Sequence, residues 1–169
     1  MITLITGGIK SGKSNFALKL SNCFNKKLFI ATLEAIDSET SEKINRHKKE
    51  RDVTWETIEE PVNITNILKS NIDNYDLILI DCINIWINNL IYYNINMSEE
   101  IDNLIDFLSI HQNNTEIIIV TNEVGQSIVP IEKITRKFIN CLGITNQKLA
   151  SIANNVYLLV TGIPIKIKG

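Results

Sequence analysis

The sequence predicts an α/β fold in which a mostly parallel β-sheet lies between layers of helices. Short apolar runs without strict alternation recur along the chain, as expected of strands buried on both faces. These runs are residues 2–5, 28–32, 77–81, 117–121 and 156–161. Helical patterns separate successive runs, which is typical of parallel sheets. A glycine-rich stretch follows the first run, at the position where such sheets bind phosphate groups.

The remaining elements follow from periodicity and from turn residues. The first helix is predicted over about residues 13–24, and a strongly polar helix over 39–51. Residues 54–59 alternate like an exposed or edge strand, which Pro61 ends. Amphipathic patterns predict helices over 62–72, 83–93, 98–111 (with Ser98 as the N-cap) and 130–154. Residues 163–168 are predicted to form a short antiparallel C-terminal strand.

Length and composition indicate one globular domain over residues 1–169, with 44% apolar and 21% charged residues. The net charge of −2, from 17 basic and 19 acidic residues, provides no overall basic field for nucleic acid. The three cysteines have no paired spacing, which argues against a disulfide framework or a zinc site. No apolar run approaches the ~20 residues of a membrane span. Because the chain opens on a strand without a charged leader, we expect a cytoplasmic protein.

The glycine-rich stretch fits the phosphate-binding pattern G-x-x-x-x-G-K-[ST] without a mismatch. Its residues are Gly7, Gly8, Ile9, Lys10, Ser11, Gly12, Lys13 and Ser14. Glycines let the backbone turn tightly, so that its N–H groups face phosphate oxygens. In this pattern Lys13 reaches the outer phosphates and Ser14 places its hydroxyl on Mg²⁺. The stretch therefore predicts a site for a nucleoside triphosphate.

Asp81 ends the apolar strand 77–81. P-loop proteins place at this position the acid that holds Mg²⁺ directly or through water. Asp is also common at ordinary strand-end turns. Because a P-loop stands upstream, we favour the metal role, with Ser14 and Asp81 as the metal-binding pair.

His47 lies in the polar helix, among the four cations of Arg46–Arg51. Such a cluster attracts a triphosphate. It also disfavours the imidazolium and keeps the ring neutral, as a nucleophile requires. A solvated helix face would explain the same pattern without any function. The other histidine, His111, is predicted to be a surface residue.

Two further polar stretches allow both a structural and a functional interpretation. Glu59 and Glu60 precede Pro61 and could cap a turn, or could accept the N1–H and 2-amino group of guanine. Residues 121–125, Thr-Asn-Glu-Val-Gly, follow a predicted strand. A turn explains the Asn and the Gly, but Glu123 also suits a polar cleft.

These residues together resemble the bifunctional adenosylcobinamide kinase / adenosylcobinamide-phosphate guanylyltransferase family of cobalamin biosynthesis. The resemblance runs in order over almost the whole chain, and residues 121–125 with 128–130 are its most specific part. The matching segments are Thr6–Gly8, Ser11–Ser14, Ile30–Thr32, His47–Lys48, Trp55–Thr57, Thr121–Gly125, Ile128–Pro130, Asn146–Gln147, Leu149–Ala150 and Gly162–Pro164 with Lys166.

The resemblance implies a RecA-like P-loop fold, a homotrimer and two reactions. In the first, ATP or GTP phosphorylates adenosylcobinamide. In the second, adenosylcobinamide phosphate receives GMP from GTP through a GMP–histidine intermediate, at the position that His47 matches. Nucleotide contacts are then implied for Gly7–Ser14, Thr32, Leu33, Glu34, Lys48, Lys49, Glu50, Arg51, Glu59 and Asp81.

Four positions depart from the family pattern. The family usually has Arg at the position of Lys10, Glu at that of Asp81, and Arg at that of Ile144, and its Asp falls near Asn140. Lys10 keeps the charge without the bidentate fork, and Asp81 keeps the carboxylate on a shorter arm. The changes at 140 and 144 are consistent with loss of an ion pair. None removes His47.

Two other functions remain open from the residues alone. A plain P-loop small-molecule kinase would form no nucleotidyl intermediate. A RecA-like module that binds single-stranded nucleic acid would need a basic groove and aromatic platforms. The net charge of −2 and the aromatic content of 7% argue against that module.

Overall fold

A computed structural model describes residues 1–34, 53–111, 115–126 and 128–169. Its strands are β1 (Ile2–Gly7), β2 (Lys27–Ala31), β3 (Trp55–Glu59), β4 (Leu77–Asp81), β5 (Glu116–Val120), β6 (Asn155–Val160) and β7 (Ile163–Lys168). Its helices are α1 (Lys13–Leu20), α2 (Ile64–Asn71), α3 (Ile83–Tyr92), α4 (Met97–Ile110) and α5 (Lys133–Ile152), with a 3₁₀ turn at Ser21–Cys23.

The seven strands form one sheet in the order β3-β2-β4-β5-β1-β6-β7. All pairs are parallel except β6 with β7. The register aligns Ala31 with Asp81 and Asp81 with Val120, so these strands end together at one edge. The parallel sheet with an antiparallel C-terminal strand confirms the predicted fold class.

Alternate strand residues divide the core into two layers. On β5, Ile117 and Ile119 pack in a layer with α2, α3, α4 and α5, whereas Ile118 and Val120 pack in a layer with α1. Burial of each such side chain contributes about 1.5–3 kcal/mol. The non-alternating apolar runs of the sequence therefore reflect strands that are covered on both faces.

Most helix boundaries differ from the predicted ones, by up to four residues. Helix α1 ends at Leu20, and α5 begins three residues after Pro130. The prediction of Ser98 as the N-cap of α4 is wrong, because Asn96 occupies that position. The Asn96 amide donates to the Glu99 carboxylate at 3.3 Å, which is the spacing of an N-cap residue and its third helical neighbour.

Candidate active site

The phosphate-binding loop follows β1 at the centre of the sheet. Gly7 has φ 149°, and a Cβ there would lie 2.5 Å from the Leu159 carbonyl oxygen. Gly12 has φ 94°, and its Cβ would lie 3.3 Å from Cα of Gly162. Because a side chain would clash or be strained at both points, the loop requires these two glycines. The loop is thereby held against β6.

Lys13 is buried and folded back over its own loop. Its Nζ donates to the Gly7 carbonyl oxygen at 3.1 Å and to the Gly8 carbonyl oxygen at 2.7 Å. Burial lowers the pKa of Lys13, while the charges of Cys82 and Asp81 act in the opposite direction. The ammonium group thus lies at the mouth of the loop, where it can turn toward an incoming phosphate.

Ser14 and Asp81 come together across 67 residues of sequence, as the metal-site prediction requires. The Ser14 hydroxyl donates to Oδ2 of Asp81 at 2.8 Å. A hydroxyl and one carboxylate suit Mg²⁺, which takes oxygen ligands and keeps water and phosphate oxygens in its remaining positions. No cluster of three or more His, Cys, Asp or Glu side chains within the described ranges would hold a metal ion unaided.

The hydroxyl of Ser11 is buried and has no hydrogen-bond partner. Buried hydroxyls are normally paired. Ser11 and Gly8 line a cavity of about 250 Å³ beside the loop. A phosphate oxygen in this cavity would supply the missing partner, so the residues present fit a bound polyphosphate.

The exits of β2 and β4 are joined beside the loop. The Thr32 hydroxyl donates to the Cys82 carbonyl oxygen and accepts from the Cys82 N–H, both at 2.9 Å. Thr32 is fully buried. The side chain of this predicted nucleotide contact therefore positions backbone next to Asp81 in the described structure.

Asn89 of α3 and Tyr93, the C-cap residue of that helix, hold the neighbouring loops. Asn89 donates to the Thr32 carbonyl oxygen at 2.8 Å and to the Pro61 carbonyl oxygen at 3.0 Å. The Tyr93 hydroxyl donates to Oε2 of Glu34 at 2.8 Å, and this hydrogen bond raises the pKa of Tyr93. Sequence reasoning missed both residues. Asn89 could have been recognised as an amide side chain on the apolar face of a helical pattern. No feature of the sequence pointed to Tyr93.

The two glutamates before Pro61 have different positions. Glu60 accepts hydrogen bonds from the N–H groups of Val62 at 2.9 Å and Asn63 at 2.7 Å, so it closes the turn that leads into α2. Glu59 is exposed at the end of β3, opposite Ala31 of β2. It therefore lies at the carboxyl edge of the sheet, on the far side of β2 from the phosphate-binding loop.

The segment after β5 joins the phosphate-binding loop to α5. The Glu123 N–H donates to the Gly7 carbonyl oxygen at 3.0 Å, and the Glu123 carboxylate accepts from the Gly125 N–H at 2.7 Å. Asn146 of α5 accepts from the Thr121 hydroxyl at 2.8 Å. It also donates to the Asn122 carbonyl oxygen at 3.0 Å. The segment is thus a turn that also forms one wall beside the loop.

Several predicted site residues lie outside the described residues. These are His47, Lys48, Lys49, Glu50 and Arg51. Of the others, Leu33 and Glu34 follow β2 at the carboxyl edge of the sheet, and Ile9 and Lys10 are exposed in the phosphate-binding loop. Lys10 adopts a left-handed backbone conformation with φ 57°. No helix in the described ranges is both long and apolar enough to cross a bilayer.

The parallel sheet, the glycine turn after β1 and the Ser14–Asp81 pair define a P-loop nucleotide-binding protein. A solved structure titled "Structural study of Project ID PH0250 from Pyrococcus horikoshii OT3" has a similar fold, with a TM-score of 0.57 and 9% identity. The match covers 99% of this chain and 86% of that one. The chain spans about half (53%) of the P4 protein from bacteriophage phi13, at a TM-score of 0.50 and 9% identity.

Sequence comparisons narrow this class to one family. A model described as "Cobinamide kinase / cobinamide phosphate guanyltransferase" matches residues 3–167. The chain is 32% identical to the "Bifunctional adenosylcobalamin biosynthesis protein CobU" of Escherichia coli (strain K12), over 99% of this chain and all of that protein. It is 34% identical to the protein of that name from Salmonella typhimurium, with the same coverage.

The chain belongs to the cobinamide kinase / cobinamide phosphate guanyltransferase family. It is therefore a bifunctional transferase of adenosylcobalamin biosynthesis, which confirms the predicted family and the main predicted function. The comparisons do not favour the alternative function, a P-loop small-molecule kinase without nucleotidyl transfer.

Proposed function

We propose that this chain uses one nucleotide site for two transfers, first of a phosphoryl group to adenosylcobinamide and then of GMP to adenosylcobinamide phosphate. The observation that carries this proposal is the 2.8 Å contact between Ser14 and Asp81 beside the buried Lys13. The proposal is supported because the Lys13 ammonium group and two oxygen atoms suited to Mg²⁺ lie beside the same loop. Both transfers need charge neutralised at that point.

The kinase step uses ATP or GTP with its outer phosphates on the N–H groups of Gly7–Ser14. The oxygen of the acceptor hydroxyl forms a new P–O bond to the γ-phosphorus and its proton passes to solvent, while the bond from the γ-phosphorus to the β–γ bridging oxygen breaks and the nucleoside diphosphate leaves. Lys13 stabilises negative charge on the outer phosphates. Ser14 and Asp81 would hold Mg²⁺, which supplies further charge neutralisation when it is bound.

In the guanylyl step, an imidazole nitrogen of His47 attacks the α-phosphorus of GTP. A P–N bond forms, the bond to the β-phosphate breaks, and pyrophosphate leaves. A phosphate oxygen of adenosylcobinamide phosphate then attacks the GMP–histidine, which gives adenosylcobinamide-GDP and restores the imidazole. The loop N–H groups and Lys13 stabilise the leaving pyrophosphate. The contacts proposed for Glu34, Glu59 and Lys48–Arg51 serve the same nucleotide.

Labelled GTP tests the guanylyl step directly. Incubation with α-labelled GTP is expected to give a protein-bound GMP that is labile in acid and stable in alkali, as a phosphoramidate is. His47→Ala abolishes it. His111→Ala is the matched control, because His111 is an exposed residue that stacks on Phe107, 4.2 Å between ring centroids. An adduct that survives His47→Ala would contradict the assignment of the nucleophile.

The assembly is proposed to be a homotrimer in the cytoplasm. The family resemblance supports this, as does the apolar character of β7, where Ile163, Ile165 and Ile167 are 64%, 47% and 59% exposed. Exposed apolar strands at a sheet edge are typical of surfaces that another chain covers. Sedimentation equilibrium measures the mass, and a monomer at micromolar concentration would rule the trimer out.

A further inference from the structure

A cavity of about 550 Å³ lies between α5 and the described residues of the segment after β5, 124–125 and 128–130. We call it the α5 groove. One wall consists of Val124, Ile128 and Val129, and the other includes Gly143 and Ile144 of α5. Ile128 and Val129 are 91% and 73% exposed. Apolar side chains this exposed along one groove are typical of a surface that a ligand or partner covers.

The α5 groove adjoins the nucleotide site. Its wall continues from Glu123, whose N–H donates to the Gly7 carbonyl oxygen of the phosphate-binding loop. Glu123 and Gln126 also line the 250 Å³ cavity beside Ser11. The two cavities therefore share residues 123–126 as a partition. A ligand in the α5 groove needs to cross only this short segment to present a side arm to a phosphate.

Side chains of α5 hold both ends of the opposite wall of the groove. Nη1 of Arg136 donates to the Pro130 carbonyl oxygen at 2.9 Å and to the Ile131 carbonyl oxygen. Asn146 holds the other end of the segment through Thr121 and Asn122. The groove is thus present before any ligand binds, as is usual for small-molecule sites.

Gly143 leaves the helical wall of the groove open. It lies near the middle of the 20-residue helix α5, where glycine lowers helix stability relative to alanine. A Cβ built at Gly143 meets no atom within 4 Å, so helix packing does not require the missing side chain. Because Gly143 has no side chain, a ligand in the groove can approach the backbone of α5.

The lining of the groove suits a largely apolar ligand that carries amide groups. Asn140 and Gln147 contribute carboxamides, and the only charged side chain among the described lining residues is Arg136. Nη1 of Arg136 donates to the carbonyl oxygens of Pro130 and Ile131, so this side chain also holds one wall of the groove. An apolar macrocycle with primary amide side chains matches both the isoleucines and the carboxamides. Cobinamide is a corrin of this kind.

We propose that the α5 groove binds the corrin macrocycle of the acceptor substrate. The macrocycle covers Ile128, Val129 and Ile144, and its amides pair with Asn140 and Gln147. The aminopropanol arm crosses the partition at residues 123–126 and reaches the phosphate-binding loop. This inference rests on the proposed function. A second copy of the chain is the competing occupant of the groove.

Substitution of Gly143 tests the groove without weakening the helix. Gly143→Leu fills the groove, and Gly143→Ala is the matched control with a small side chain in the same helix position. Equilibrium dialysis measures binding of dicyanocobinamide, and a fluorescent GTP analogue reports the nucleotide site. We expect Gly143→Leu to weaken dicyanocobinamide binding by about tenfold or more. Gly143→Ala fills less of the groove and should weaken dicyanocobinamide binding less than Gly143→Leu does, whereas the GTP affinity of both variants stays within about twofold of that of the unchanged chain.

The outcomes separate this inference from the function on which it rests. If the unchanged chain binds dicyanocobinamide and Gly143→Leu binds it equally well, the groove is not the corrin site and the proposed function stands. A changed sedimentation coefficient for Gly143→Leu would identify the groove as a contact between copies and overturn the inference. If the unchanged chain neither binds dicyanocobinamide nor phosphorylates cobinamide, the proposed function itself fails.

Discussion

At the scale of single residues, the phosphate-binding loop shows why its glycines are not equivalent. A Cβ at Gly7 would lie 2.5 Å from the Leu159 carbonyl oxygen and 2.8 Å from Oγ of Ser11, whereas one at Gly8 would meet nothing within 4 Å. The loop touches β6 at Gly7 and is open at Gly8. The sequence motif does not distinguish Gly7 from Gly8, but of these two only Gly7 is sterically confined.

Gly7→Ala is therefore expected to distort the loop and to lower the free energy of unfolding by about 1–3 kcal/mol. Backbone atoms of β6 cannot move aside as a flexible side chain could. Binding of a fluorescent GTP analogue should weaken by about tenfold or more, and urea unfolding measures the stability. Gly8→Ala is the matched control. Equal losses of stability in the two variants would contradict this steric explanation.

At the scale of secondary-structure elements, α3 acts as a clamp on two loops at the carboxyl edge of the sheet. Trp86 is fully buried, and its Nε1 donates to the Val62 carbonyl oxygen at 2.6 Å. One turn later, Asn89 donates to carbonyl oxygens of Thr32 and Pro61. The helix thereby fixes the backbone after β2 and β3. Glu34 lies in the first of these loops and Glu59 directly precedes the second, so the helix helps to position both of these proposed nucleotide contacts.

Asn89→Ala leaves two carbonyl oxygens without their donor. Because an unpaired buried polar group costs about 1–3 kcal/mol, we expect a loss of this size in the free energy of unfolding. The KM for GTP should rise as the loops after β2 and β3 loosen. The neighbouring Asn88 is exposed, so Asn88→Ala serves as the control in the same urea titrations. A stability equal to that of Asn88→Ala would show that the clamp contributes nothing.

Element positions were predictable where one signal dominated. The apolar run 77–81 matches β4 residue for residue, and 163–168 matches β7. The start of α4 was misplaced, because Ser98 and Asn96 are both good N-caps and only the pairing with Glu99 distinguishes them. Local sequence thus defines the existence of an element better than its end residue.

At the scale of the whole molecule, the two edges of the sheet have different roles. The carboxyl edge holds the phosphate-binding loop and Asp81, whereas Glu116 lies at the amino end of β5. Burial raises the pKa of Glu116, although the N-terminal ammonium of Met1 and the Thr3 hydroxyl oppose this effect. Stability at the amino edge can therefore be altered without contact with the site.

The raised pKa of Glu116 predicts a pH-dependent stability. The native state holds the proton more tightly than the unfolded chain, so stability falls as pH rises from the ordinary pKa of 4.5 through the folded value. Glu116→Gln stays neutral and is expected to remove this decline. Urea unfolding at several pH values from 4 to 7 should show the variant gaining stability relative to the unchanged chain. A pH-independent difference would contradict the shift.

The sequence by itself determined the nucleotide-binding loop, the strand that carries Asp81 and the family, because each is recognised from short runs of residues that are adjacent in the chain. Contacts between distant residues were decided by tertiary structure. The strand order brings Ser14 to Asp81, joins Thr32 to Cys82, and opens the α5 groove beside the loop. Burial likewise lowers the pKa of Lys13 and raises that of Glu116. Spacing along the chain encodes local geometry, but neighbours and burial exist only once the strands are ordered.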